Sequence, residues 1–329
     1  MTEPNLTMFH LLHFTEPNLT MFHLSHFSLE GFLWLHDWQS NIILFAVFIV
    51  IYVASLTENA MFLLLIGLDE RLHSPMYLFV CNLAMLDISI PTVTVPKILH
   101  YLLTDDTTIE FVSCVTQMCF FIYLNVTECL VLAVMAYDRY HAICSPLYYS
   151  VIMTMKHTTQ LSIFCWVPGL LIVFFHIYIV LNVPFCGPNT ITAYFCEYTS
   201  LMMLACADVS SYSFVPLILA LAFMSLILCF IIITYIKILL SVIKVKSRMG
   251  HKKAFSTCAS HLLIIVLYIF VQASVLISRF VSDTSVSIQV LAGIIQNIVP
   301  PLVNPIIYCL KTKEIRISFL RVLNKIFTV

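Results

Sequence analysis

The stretch LNVTECLVLAVMAYDRYHAIC, Leu124 to Cys144, lies in a long apolar run and yet carries Glu128, Asp138 and Arg139. Ionisable side chains at membrane depth are costly, so they turn into a bundle or towards water and mark functional positions. Helical geometry relates them. At about 100° and ~1.5 Å per residue, the step from Glu128 to Arg139 leaves them ~20° apart around the axis and ~16 Å apart along it. Asn125 falls close to the same line. A single polar stripe on an apolar helix must face inward, away from lipid.

The whole chain has this apolar character. Its 329 residues are 61% hydrophobic and 10% charged, with a mean hydropathy of +0.99. Ordinary soluble domains carry about 25% charged residues, so this is the composition of an integral membrane protein. A net charge of −1 argues against a nucleic-acid partner. Few glycines and long Leu/Ile/Val/Phe runs predict helices, not the alternating strands of a barrel. Seven segments are long enough to cross a bilayer: 41–68, 75–103, 111–144, 158–181, 212–243, 254–279 and 287–310. The expected fold is an all-α membrane protein, a seven-transmembrane helix bundle over residues 41–310 behind an N-terminal tail of residues 1–40.

Basic residues set the orientation. Arg71, Arg139, Lys156, Lys237, Lys244, Lys246, Arg248, Lys252, Lys253 and those from Lys311 onward fall on one side, whereas Lys97 and Arg279 fall towards the other. The excess of positive charge predicts a cytosolic C-terminus and an extracellular N-terminus in the plasma membrane. The tail repeats itself: TEPNLTMFHLLHF (Thr2–Phe14) is followed at once by TEPNLTMFHLSHF (Thr15–Phe27). Two copies are too few for a solenoid, so this reads as a tandem duplication in a tail of little structure. Each copy offers Asn-Leu-Thr, at Asn5 and Asn18, as a glycosylation acceptor, while Asn125-Val-Thr lies within a span. The HxxH pairs (His10/His13 and His23/His26) lack fixed further ligands, and no metal site is expected. No basic region precedes the apolar residues, so no cleaved signal peptide is expected. Most cysteines fall in spans. Cys114, Cys186, Cys196 and Cys206 cluster on the outer side, where disulfides persist, with three pairings open.

Asn59, Asp87 and Asn304, in the first, second and seventh spans, are the inward companions of Glu128. Such a cluster could hold a cation or share a proton, or be a plain polar contact between helices. Asp138 and Arg139 at the cytosolic end form a pair that closes when the helices pack and opens when they part, as a switch requires.

Longer motifs sharpen this reading. MAYDRYHAICSPLYYSVIM (Met135–Met153) closely resembles the signature of vertebrate olfactory receptors, a branch of the rhodopsin-like G-protein-coupled receptors. LHSPMYLFVCNLAMLD (Leu72–Asp87), KAFSTCASHL (Lys253–Leu262), PLVNPIIYCLK (Pro301–Lys311) and FSLEGF (Phe27–Phe32) are similar to further motifs of that family, in the right order. The resemblance implies an odorant receptor: a small volatile ligand within the bundle, and a heterotrimeric stimulatory, olfactory-type G protein that raises cAMP. Arg139, in Asp138-Arg139-Tyr140, would be the coupling arginine, with Tyr235 and His261 across the fifth and sixth spans. Cys114 would pair with Cys196, and Cys186 with Cys206. Asn59, Asp87, Glu128 and Asn304 would form the polar cluster for sodium or a proton. Residues 311–329, with Ile315, Phe319, Leu320 and Leu323 beside basic residues, read as a cytoplasmic amphipathic helix on the inner leaflet.

An odorant pocket should be buried and mostly apolar with few polar anchors. Met118, Ile122, Asn125, Val126 and Cys129 on the outer half of the third span fit it, with Phe223, Ile269 and Gln272 joining by analogy with the family. Asn125 and Gln272 are the expected hydrogen-bonding anchors. Three features depart from the family's pattern: Glu58 stands where glycine is usual, Tyr268-Ile269-Phe270 replaces Phe-Tyr-Gly, and the first thirteen-residue copy is surplus to the usual tail. Competing classes fare worse. A transporter would show paired repeats and broken helices. An enzyme would need a nucleophile near Asp87 and Glu128, and none is evident. A non-olfactory chemosensory receptor on the same scaffold is the alternative that transcript location would separate.

The tail reading predicts that peptide-N-glycosidase shifts the gel mobility of surface receptor, and that Asn5→Gln with Asn18→Gln abolishes the shift. An unchanged shift in the double variant would remove both acceptors.

Overall fold

The computed structural model describes the backbone of residues 25–31, 37–185, 189–205, 210–244, 248–280 and 286–327, and the side chains of all of these except 210–214, 248–260, 276, 279–280, 311, 313 and 322–327. Eight long helices follow in order: α1 (Trp38–Leu68), α2 (Pro75–Thr104), α3 (Phe111–Cys144), α4 (Met155–Asn182), α5 (Ser210–Lys244), α6 (Arg248–Phe280), α7 (Val286–Lys311) and α8 (Lys313–Phe327). The expected spans fall on α1 to α7. Six of these helices are long and apolar enough to cross a membrane among the described residues, and α6 contributes the apolar run His261–Val275. Local chemistry starts and ends them. Asp37 caps α1 by accepting from the Ser40 amide at 3.2 Å, Thr154 caps α4 through the His157 amide at 3.2 Å, and Pro75 opens α2. Asp105 ends α2 in the left-handed conformation, with φ of 55°.

Burial shows which helices meet lipid. In the most apolar window of α5 only 11% of residues are buried, against 61% in α2 and 50% in α3. Apolar side chains left uncovered to that extent need an apolar solvent, so α5 faces the acyl chains and α2 and α3 form the centre. Polar groups are spent inside the bundle. Trp166 Nε1 of α4 donates to Asn82 Oδ1 of α2 at 2.9 Å. The Pro301 carbonyl in α7 would ordinarily accept from residue 305, but Pro305 has no N–H to give. Asn59 Nδ2 of α1 supplies the missing bond at 2.8 Å.

A small sheet, which the sequence did not announce, caps one end of the helical bundle. β1 (His26–Leu29) lies between β2 (Thr108–Glu110), antiparallel to it, and β3 (Thr190–Ile191), parallel to it. Alternation along β1 buries Phe27 and Leu29. Phe27, 1% exposed, packs against Phe111 and Phe185. The second repeat of the tail therefore ends in ordered strand, because its last residue fills a core position. Beneath the sheet Cys114 of α3 is bonded to Cys196. Gln117 fastens the same loop, accepting from the Cys196 amide at 2.9 Å and donating to the Val93 carbonyl at 2.8 Å. Cys186 and Cys206, like Asn5, Asn18, His10, His13 and His23, lie outside the described residues, whereas His26 of the second HxxH pair opens β1; Phe185 and Ala205, beside the two cysteines, form an antiparallel bridge.

At the other end α8 folds back under α1. Asp69, just after α1, accepts from Ser318 Oγ at 2.5 Å, Arg321 Nη1 at 3.0 Å and the Arg71 amide at 3.1 Å. The Ser318 bond, then the Arg71 amide and the arginine charges, hold the Asp69 carboxyl below the usual carboxylate range. The clasp therefore keeps its charge at physiological pH and would be lost only as pH falls through that lowered value. Ile315 is buried while Ile317 and Leu320 point outward, the division expected of a helix lying on a membrane.

The Cys114–Cys196 bridge ties α3 to the loop that carries β3. Cys114→Ser or Cys196→Ser should lower stability by about 2–5 kcal/mol and abolish surface staining. Normal staining with full ligand response in either variant would contradict this.

Candidate functional site: a polar column through the bundle

Of the polar stripe on α3, Glu128, Asp138 and Arg139 are buried and Asn125 is partly buried. At the α8 end, Asp138 and Arg139 are 1% and 4% exposed. Arg139 Nε donates to Asp138 Oδ2 at 3.0 Å, and Nη2 reaches the same oxygen. Tyr149 donates its hydroxyl to Asp138 Oδ1 at 2.8 Å. A buried pair of this kind is maintained by both partners, since removing one strands a charge at a cost of about 3–5 kcal/mol. His261 of α6 is 3% exposed, feels the charge of Arg139 and stacks edge-on against Tyr308 of α7 at 5.6 Å. Tyr235 of α5 is also buried. Tyr140 turns aside, its ring 5.7 Å from Lys237 Nζ.

In mid-bundle Asn304 Nδ2 donates to both oxygens of Asp87, at 3.1 and 3.0 Å. Glu128, 5% exposed, lies within electrostatic reach of Asp87. Asn59, Asp87 and Asn304 share a small cavity with Tyr308. Its volume, ≈ 10 Å³, fits one guest the size of a water molecule. Three buried oxygens nearby, Asn59 Oδ1, Asn304 Oδ1 and Ser55 Oγ, have no hydrogen-bond partner among the described residues. A carboxylate with unspent neutral oxygens around such a space suits a small hard cation. Glu58 also carries a buried oxygen without such a partner, on α1.

Towards the sheet the column continues through Cys129, whose Sγ lies 2.7 Å from the Tyr268 hydroxyl and 3.3 Å from Met224 Sδ. Tyr268 thus puts a hydroxyl into the bundle although the usual tyrosine position holds Ile269. Above it Gln296 of α7 joins the two expected anchors, donating to Gln272 Oε1 at 3.2 Å and Asn125 Oδ1 at 3.4 Å. Gln296 also lines a cavity of ≈ 40 Å³ roofed by Ala193–Phe195 and Glu197 and walled by Phe121 and Val290.

The structure brings Asn125 and Gln272 together through Gln296 and places Cys129 one turn below. Ile122 packs against the disulfide cluster, Ile269 against the main core, and Val126 and Phe223 are partly buried. Met118 is fully buried in the disulfide cluster. None of the eight expected ligand residues lines the cavity under the loop. Sequence reasoning missed Gln296 because α7 carries several amides, Gln289, Gln296, Asn297 and Asn304, and nothing local says which of them meets Asn125 and Gln272.

Comparison with known proteins agrees with this architecture. The family model described as olfactory receptor matches residues 48–326. The chain is 37% identical over 287 residues to olfactory receptor 10A5 of Homo sapiens, covering 87% of this chain and 90% of that one. It is 36% identical to olfactory receptor-like protein OLF3 of Canis lupus familiaris, covering 88% and 91%. The fold matches the crystal structure of squid rhodopsin with a TM-score of 0.70 at 15% identity, over 86% of this chain and 85% of that one. The chain belongs to the olfactory receptor family.

Proposed function

We propose that this odorant receptor admits small, mostly apolar molecules at its disulfide end and couples them to a stimulatory heterotrimeric G protein at its Arg139 end, raising cAMP. Two features support that orientation at the plasma membrane. Disulfides persist outside the cell, and the lysines and arginines gather at the opposite end, as in cytosolic loops. Asn125, Gln272 and Gln296 hold the ligand's polar group, while Ile122, Val126, Cys129, Phe223 and Ile269 give the apolar wall. Met118 supports the wall from behind. The observation that carries the reading is the column itself: polar side chains run inside the bundle from the partly buried Gln296 past the buried Glu128 and Asp87 to Arg139.

Arg139 is the element presented to the G protein. It is paired with Asp138 in the closed bundle, and parting of α3 from α5 and α6 at Tyr235 and His261 frees it. Asp87, Asn59 and Asn304 hold a sodium ion, or Asp87 shares a proton with Glu128, and either neutralises charge that the bundle would otherwise repel. That neutralisation biases the closed against the open arrangement. A ligand shifts this balance only by its differential affinity for the two states.

The test begins with a screen of volatile compounds on expressed receptor. With any active compound, Arg139→Ala should reduce evoked cAMP to background at unchanged surface level. Glu128→Gln keeps the shape and removes the charge, so it should shift basal cAMP or ligand potency about fivefold or more. A wild-type dose–response curve for Arg139→Ala would overturn the coupling role. One for Glu128→Gln would reduce that acid to a structural contact.

A further inference from the structure

Two cavities lie at the disulfide end, and one side chain stands between them. The larger, of ≈ 40 Å³, opens under the loop onto Gln296; the smaller, of ≈ 10 Å³, is bounded by β1, α2 and Gly31, with Ile98 in its wall. Tyr194 lines both. Cavities of that size hold roughly three waters and one. Neither admits an odorant as it stands.

Tyr194 is 5% exposed and held differently at its two ends. Its backbone is pinned: a Cβ on Gly31 would lie 2.5 Å from the Tyr194 amide nitrogen, so the segment after β1 lies flat against it. Its ring rests on Gly293 of α7, where a Cβ would come within 3.0 Å of Cε1. Its hydroxyl accepts from Asn297 Nδ2 at 2.6 Å, a bond between loop and helix. Asn297 is 1% exposed, and its own Oδ1 has no hydrogen-bond partner among the described residues. An amide buried with one half unspent is a polar group awaiting a donor.

We infer that Tyr194 is a movable partition whose ring sets the length of apolar guest the receptor accepts. When the ring swings off Gly293 the two cavities join into one chamber, reaching from Gln296 to Ile98. The same motion releases Asn297, whose amide then offers one donor and one acceptor to the chamber. The matching guest is a neutral molecule with an apolar chain and one hydroxyl or carbonyl group. Tyr194 acts by excluding length, and Gly293 is required because any side chain there would displace the ring. The inference rests on the ligand entering at the disulfide end, as proposed above.

Guests of graded length test this without any known agonist. Ile98→Cys receptor, purified, is treated with methyl, butyl and octyl methanethiosulfonate. The thiolate attacks the sulfenyl sulfur, a mixed disulfide forms and methanesulfinate leaves, and mass spectrometry reads the adduct on the peptide containing residue 98. Thr192→Cys, exposed at the larger cavity, is the accessible reference. With Tyr194 in place only the methyl reagent should label Cys at residue 98 at an appreciable rate. Tyr194→Ala should raise butyl and octyl labelling tenfold or more while the residue 192 reference stays constant. Should Tyr194→Ala fail to fold, Tyr194→Phe, which removes the hydroxyl that meets Asn297, and Gly293→Ala, which pushes the ring aside, should each raise octyl labelling severalfold. Equal length profiles with and without these changes would overturn the partition. A receptor that labels as expected but answers no odorant would instead count against the functional reading alone.

Discussion

A polar group carried into lipid must find its partner inside the protein, because no water is there to take its place. The Asp138–Arg139 pair is the severest case in this molecule, two charges buried almost completely at one end of α3. Much else in the bundle answers the same demand. Asn59 reaches α7 to satisfy the Pro301 carbonyl that Pro305 leaves without a donor, and Trp166 spends its indole N–H on Asn82. These bonds fix α1, α2, α4 and α7 around α3 more specifically than apolar contact could, since lipid offers apolar side chains an equally good environment.

The two ends of the receptor are built on different principles. At the disulfide end the loop is braced by covalent, strand and amide contacts: Cys114–Cys196, the three-stranded sheet and Gln117. A scaffold held so firmly can carry one mobile side chain without loosening the whole. At the opposite end charge dominates, in the Asp138–Arg139 pair and in the Asp69 clasp that seats α8. Charged contacts there can exchange partners when the helices part, which hydrophobic packing alone would not allow.

The helices were legible in the sequence because hydropathy over twenty residues is a local property, and so was the inward stripe Asn125–Glu128–Arg139, which needs only helical periodicity. Family motifs supplied the pairing of Cys114 with Cys196, which spacing left open. What was not legible depends on contacts between distant segments. β1 is four residues where the duplicated tail meets the FSLEGF motif, neither of which signals a strand, and Phe27 sets it in place by filling a site made by Phe111 and Phe185. Gln296 matters because Asn125 and Gln272 converge on it, and Tyr194 because Gly293 and Asn297 lie opposite. The replaced tyrosine motif of the sixth span shows the same limit: the sequence shows a hydroxyl moved by one residue, and only the fold shows Tyr268 reaching Cys129.

If the Asp138–Arg139 pair holds the bundle closed, weakening it without changing its shape should open the switch in the absence of any odorant. Asp138→Asn does this, keeping an acceptor for Tyr149 while removing the charge that retains Arg139. The measurement is basal cAMP per receptor at the cell surface. The account predicts a severalfold rise over the unmodified receptor, and a basal level that is unchanged or lower at equal surface density would contradict it.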